Sequence, residues 1–138
     1  MKRLMQCPCK SGQFYKECCQ KYHLGKPAES ALSLMRSRYS AYSLGLAEYI
    51  IQTTHPLHPN YNLDFTQWKK EILQFSSQTT FQDLKIIEFI DGELEAFVTF
   101  KAELIQSNKD ASFIEKSYFL FVNHKWLYRD GNFSSLSA

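Results

Sequence analysis

The sequence predicts an α+β fold, with helices packed on one face of a curved antiparallel sheet and a small cysteine-built knuckle ahead of them. Three observations carry this. Apolar residues recur at steps of three and four through the middle of the chain and at steps of two after Thr80, which is the change from a helical to a strand period. All four cysteines fall in one 13-residue window, Cys7 to Cys19. The 138 residues suit one ordinary domain. The expected division is a knuckle over 1–27 and a body over 28–138.

The knuckle comes first. A disulfide framework spreads its cysteines to staple distant segments. Here Cys7 and Cys9 are one residue apart and Cys18 and Cys19 are adjacent, spacings that reach disulfide geometry only with strain. Two thiolate pairs on a short loop suit a tetrahedral metal, and Zn²⁺ accepts four sulfurs at about 2.3 Å. Pro8 fixes φ between the first two ligands. Ser11-Gly12 is a turn signal, and Gln13 to Glu17 can form a short helical turn that delivers the second pair. A redox dithiol more usually reads Cys-x-x-Cys, and an iron–sulfur cluster wants wider spacing. Cys7, Cys9, Cys18 and Cys19 are therefore the expected ligands of a structural zinc ion. Four protein ligands leave no position for a catalytic water.

In the body, Leu32, Met35, Tyr39, Tyr42 and Leu46 form the apolar face of a first helix, with Arg36, Ser37, Ser40 and Ser43 largely off it. Gly45 is a break, and a short helix follows through Tyr49, Ile50 and Ile51. His55-Pro56-Leu57-His58-Pro59-Asn60 is a loop. Asp64 is an N-cap with Gln67 three residues on, opening a helix whose buried face is Phe65, Trp68, Ile72 and Phe75. Strands are expected over 84–90, 94–105, 113–122 and 126–130. Asp91-Gly92 signals a tight hairpin, Asn123-His124-Lys125 a second turn, and Gln106 to Ala111 a looser connection.

These residues resemble known families. Cys7-Pro8-Cys9-Lys10-Ser11-Gly12, with Phe14-Tyr15-Lys16 and Cys18-Cys19, is similar to the SEC-C motif, the zinc knuckle at the tail of the SecA translocation ATPase. Lys10 stands where that motif usually has glycine. Leu34-Met35-Arg36-Ser37-Arg38-Tyr39-Ser40-Ala41-Tyr42, then His55-Pro56, then Trp126-Leu127-Tyr128-Arg129-Asp130-Gly131, resemble the YchJ family over nearly the whole chain. That resemblance implies a SEC-C knuckle joined to a cone-shaped domain similar to nuclear transport factor 2. It implies an open pocket and a sheet of a kind that often pairs face to face, so a homodimer is one expectation. It implies no activity.

Net charge is +2 but uneven: residues 1–27 carry +5 and the remainder −3. A cationic head suits an acidic protein surface or, less strongly, nucleic acid, although four zinc-bound thiolates also offset part of it. No run of about 20 apolar residues predicts a membrane span, and Met1 to Gln6 is too short and polar for a signal peptide. The expected compartment is the cytoplasm. Candidate pocket residues are Arg36, Arg38, Tyr39, Tyr42, His55, Trp126, Tyr128 and Asp130. Arg36 and Arg38 are two positions apart and cannot share a helix face, so one is expected to pair with an acid of the sheet. Trp126 and Tyr128 share a strand face by period two. No carboxylate pair, Ser-His-Asp set or phosphate-binding glycine loop is present. The leading expectation is an adaptor with the knuckle as docking head, and the alternative is a small-molecule binder or enzyme using the cone.

Overall fold

The computed structural model describes residues 5–134. Lys2 and Arg3 of the cationic head, most of the Met1–Gln6 segment and residues 135–138 of the body lie outside the described residues. A 3-10 turn over Tyr15–Glu17 leads into α1 (Gln20–His23), followed by α2 (Ala31–Leu44), α3 (Ala47–Gln52) and α4 (Phe65–Gln78). Five strands complete the chain: β1 (Thr79–Ile90), β2 (Glu95–Gln106), β3 (Lys109–Asp110), β4 (Phe113–Val122) and β5 (Lys125–Ser134). The sheet is antiparallel with order β1-β2-β4-β5, and the two-residue β3 pairs with the end of β2.

Local chemistry sets the helix ends. Ser30 caps α2 by accepting the Ser33 N–H at 3.0 Å. Gly45 ends it at φ +73°, a left-handed value natural to glycine. Asp64 caps α4 by accepting the Gln67 N–H at 3.1 Å. Bulges in β1 near Phe81–Asp83 and Ile86–Glu88, and in β5 at Arg129, bend the sheet. Alternate residues Ala96, Val98, Phe100, Ala102 and Leu104 of β2 face the concave side, where Ala31, Leu34, Met35 and Tyr39 of α2 pack on them. A second cluster, Ala41, Ala47, Ile50, Trp68 and Ile72, joins α2, α3 and α4. No described helix is long and apolar enough to cross a membrane.

Four expectations change. Ser37 and Ser40, placed off the buried face of α2, are both fully buried, because the knuckle and α3 cover the side of the helix that the sheet does not. Phe65 is 47% exposed, since the first turn of α4 overhangs its packing partners Tyr61 and Trp68. The Asp91-Gly92 connection spans four residues between Ile90 and Glu95, and a Cβ at Gly92 would collide with the Glu95 carbonyl. The tight turn lies instead inside the expected loose connection. Ser107 (φ +50°) and Asn108 (φ +62°) form a two-residue reversal, as Asn123 (+52°) and His124 (+65°) do between β4 and β5.

Because α2 is the helix on which both clusters meet, its cap matters to the whole fold. Ser30→Ala is expected to cost about 1 kcal/mol, read as a fall of about 3–6 °C in melting temperature.

Candidate metal centre and ligand cavity

The cysteine cluster is assembled by turns. After Cys9, Lys10 takes φ +64° and Gly12 φ +88°. The reversal lets the Lys10 N–H donate to the Cys7 carbonyl and the Cys7 N–H donate to the Gln13 carbonyl. The 3-10 turn and α1 then bring Cys18 and Cys19 over the first pair. The four Sγ atoms lie within 4.8 Å of one another, with Cys9–Cys18 at 3.6 Å and Cys18–Cys19 at 4.0 Å. None is disulfide-bonded. A zinc ion with bonds of about 2.3 Å needs sulfur–sulfur edges of about 3.8 Å, so the donor set fits a tetrahedral ion.

Without a cation the cluster resists charging. Hydrogen bonds from Cys19 and Cys7 hold the Cys9 thiol far below its usual range. Bonding to Cys7 and Cys9 pushes Cys19 far above it, and burial pushes Cys18 up to about 11. The cluster thus favours a thiolate at Cys9 and the neutral thiol at Cys18 and Cys19. A divalent cation is what allows four sulfurs to ionise together.

The body reaches into this cluster through α2. The Ser40 hydroxyl donates to Cys19 Sγ at 3.3 Å and lies 3.5 Å from Cys7 Sγ. Arg36 Nη1 donates to the Cys9 carbonyl at 3.0 Å and stands 3.9 Å from its Sγ. His23 is wedged between the two parts. Its Nε2 lies 2.8 Å from the Ser37 carbonyl, which can only accept, so Nε2 carries the proton and Nδ1 accepts the Tyr15 hydroxyl at 2.6 Å. Burial lowers its pKa and so keeps the ring in that neutral form.

On its other side α2 faces a cavity of about 780 Å³ between the helices and the concave sheet. Arg38 lies in the wall, 8% exposed. Its Nη1 donates to the Ile50 carbonyl at 3.0 Å and to Thr53 Oγ1 and Thr54 Oγ1 at 2.8 and 3.0 Å, and its guanidinium stacks 4.6 Å from the Tyr128 ring centre. Glu115, 6% exposed, receives the Ser117 hydroxyl and the Tyr128 hydroxyl (2.7 Å), both on Oε2. Burial raises its pKa, partly opposed by those bonds and by Arg38. Gly131 makes room for this group: a Cβ there would collide with the Glu115 carboxyl and stand 2.6 Å from the Tyr128 hydroxyl.

Comparison with known proteins agrees with this architecture. The family described as "YchJ, middle NTF2-like domain" matches residues 30–131. The chain belongs to the YchJ family. A UPF0225 protein of Enterobacter sp. (strain 638) is 37% identical over 128 residues, covering 91% of this chain and 81% of that protein. The solution structure of a SEC-C motif containing protein from Rhodopseudomonas palustris superposes with a TM-score of 0.78 at 27% identity, over 93% of this chain and 98% of that one. The crystal structure of a SEC-C motif containing protein from Psychrobacter arcticus gives 0.73 at 27% identity, over 96% and 84%.

Of the candidate pocket residues in this YchJ-family chain, Arg38, Tyr39, Tyr42, Tyr128 and Asp130 line the cavity. Asp130 sits at the rim, 3.8 Å from Arg129. Arg36 points the opposite way, to the cysteines. Neither arginine of α2 forms the expected ion pair with an acid of the sheet: backbone carbonyls and hydroxyls receive Arg38, and the Cys9 carbonyl receives Arg36. His55 lies outside the cavity, where its N–H donates to the Tyr128 carbonyl at 2.8 Å and its Nδ1 accepts the Leu57 N–H. Trp126 shares the inward face of β5 with Tyr128, in regular register with Phe121 and Phe119 of β4, but it is buried in the core on Phe121 and does not line the cavity. Sequence reasoning missed His23, Ser40, Glu115 and Ser117. The period of two held a signal for the last two, since Glu115 and Ser117 share the inward face of β4 with Phe119. For His23 no such signal exists.

Lys10 holds a left-handed conformation at the position where the SEC-C motif has glycine. A non-glycine residue there costs about 1–2 kcal/mol, of which glycine's greater unfolded freedom cancels about 0.4–1. Lys10→Gly is therefore expected to stabilise the metal-loaded protein by about 0.5–1 kcal/mol, measured as resistance of the bound metal to a competing chelator and as a raised melting temperature.

Proposed function

We propose that this is a small-molecule-binding protein whose body takes an apolar ligand into the cavity, while a zinc ion in the knuckle fixes the helix that forms the cavity wall. The observation that carries this reading is the cavity itself. The cone is not filled by its own side chains. Its space is in the range of ligand pockets, mostly apolar, with a few convergent polar groups. The zinc supplies structure only, because Cys7, Cys9, Cys18 and Cys19 fill its four positions. Cys7, Cys9 and Cys19 face inwards and are almost fully buried, which suits a clamp better than a free head.

Ala102, buried on β2 and lining the cavity, offers the test. Ala102→Phe is expected to fill the space and weaken binding of a neutral apolar dye such as Nile red by at least about tenfold, at a stability loss of about 1–3 kcal/mol. Undiminished binding in that variant, or no binding by the wild type, sinks the reading.

A second reading is favoured by the knuckle's outer surface. Lys10, Lys16 and Lys21 are exposed there, and Leu24 is 80% exposed. This face supports docking to an acidic protein surface. The triple variant Lys10→Glu, Lys16→Glu, Lys21→Glu should release partners captured by wild type while leaving dye binding unchanged; identical capture counts against it. Retention of nucleic acid that falls steeply with salt would assign the face to a phosphate backbone instead.

A further inference from the structure

Building on the small-molecule reading, the geometry points to an organic carboxylate as the ligand, its carboxylate held on the Nε–Nη2 edge of Arg38 and its apolar body among the aromatic side chains of the cavity. All three hydrogen bonds of the Arg38 guanidinium run through Nη1. Nε and Nη2 make none to any described residue. They are not walled in either, because Ser76 Oγ is the one fully enclosed side-chain N or O atom among the described residues that lacks a partner. A half-satisfied guanidinium in a buried wall is a donor pair awaiting an acceptor.

The shape of that donor pair selects the class. Nε–H and one Nη2–H point the same way, at the separation of two carboxylate oxygens. Phosphate or sulfate brings more oxygens and more charge than one fork serves, and no second cation lines the cavity among the described residues. The other charged and titratable groups that line the cavity with Arg38 are Glu115, Asp130, Glu71, His58, Tyr39, Tyr42 and Tyr128. Glu115 is the only buried carboxylate among them, and burial favours its neutral form. Arg38 cannot lose its charge. The two together can thus become net positive and never net negative, which favours an anion over an amine. The rest of the ligand meets Tyr42, Trp68, Phe75, Phe119 and Tyr128, surfaces for a flat ring or an alkyl chain.

Calorimetry and the fluorescence of Trp68 test this with naphthoate and decanoate against their methyl esters, using the full-length metal-loaded protein. Each acid should bind at least about tenfold more tightly than its ester. Arg38→Gln should abolish the difference between each acid and its ester. Glu115→Gln, which holds that side chain uncharged at every pH, should abolish any weakening of acid binding as the pH rises. Should Arg38→Gln fail to fold, the wild-type comparison and Glu115→Gln still decide. Esters that bind as well as acids overturn the carboxylate assignment and leave the cavity reading standing. No binding of acids, esters or Nile red overturns both.

Discussion

Helix α2 gives almost none of its surface to water before its last residue, Leu44, and the rest of the structure is arranged around that constraint. No residue from Ala31 to Ser43 is exposed. Met35 and Tyr39 lie on the sheet, and the Tyr39 hydroxyl donates to the Asp83 carbonyl at 3.0 Å. Arg36 and Ser40, four residues apart and so on one face, meet the cysteines. Ser37 lies under His23 and donates to the Leu34 carbonyl while touching the Tyr49 hydroxyl at 2.7 Å. Arg38 and Tyr42 look into the cavity. A helix packed on several sides cannot carry a simple apolar stripe, and each of its buried polar residues needs its own partner.

That arrangement makes the knuckle part of the body's packing. A loop of some 20 residues has too little apolar surface to fold alone. A metal held by the four cysteines would supply the missing stability, and the hydroxyl of Ser40 and the guanidinium of Arg36 would pass it to α2. The two arginines of this helix, two positions apart, point in nearly opposite directions. Each is held by a backbone carbonyl before it meets anything charged. Arginine suits both places because its several donors can satisfy a carbonyl and a second acceptor at once, which a lysine ammonium does with less geometric definition.

The sequence was most legible where local chemistry decides. Gly45, Asp64 and the Asn123-His124 turn act through their own backbone preferences, and all lie where local rules put them. The cysteine spacing likewise carries its own geometry. Reading failed where tertiary packing chose the partner. Ser37 and Ser40 look solvent-facing until a second layer is laid over the helix. Trp126 and Tyr128 do share a strand face by the period of two, and it is packing that buries Trp126 in the core and leaves Tyr128 on the cavity. His23 sits in a short helix with no periodicity to read, and its role comes from the seam between two segments far apart in sequence. Lys10 is the converse case: its irregularity was visible in the chain, and its φ of +64° supplies the physical meaning.

The polar wall of the cavity is hard to explain as a stabilising device. A buried arginine and a buried carboxyl group without a direct ion pair between them carry a desolvation penalty that well-packed apolar residues of similar volume would avoid. The chain goes further to keep them. Gly131 forgoes a side chain so that Glu115 and the Tyr128 hydroxyl can fit, and glycine in a strand interior weakens it. Thr53 and Thr54 direct their hydroxyls to one nitrogen of Arg38 and leave its other edge open. If stability alone were at stake, the open edge would be the first thing to close. An arginine anchored on one side and unsatisfied on the other is pre-organised for an acceptor from outside the chain, with its conformational entropy already lost before the acceptor arrives.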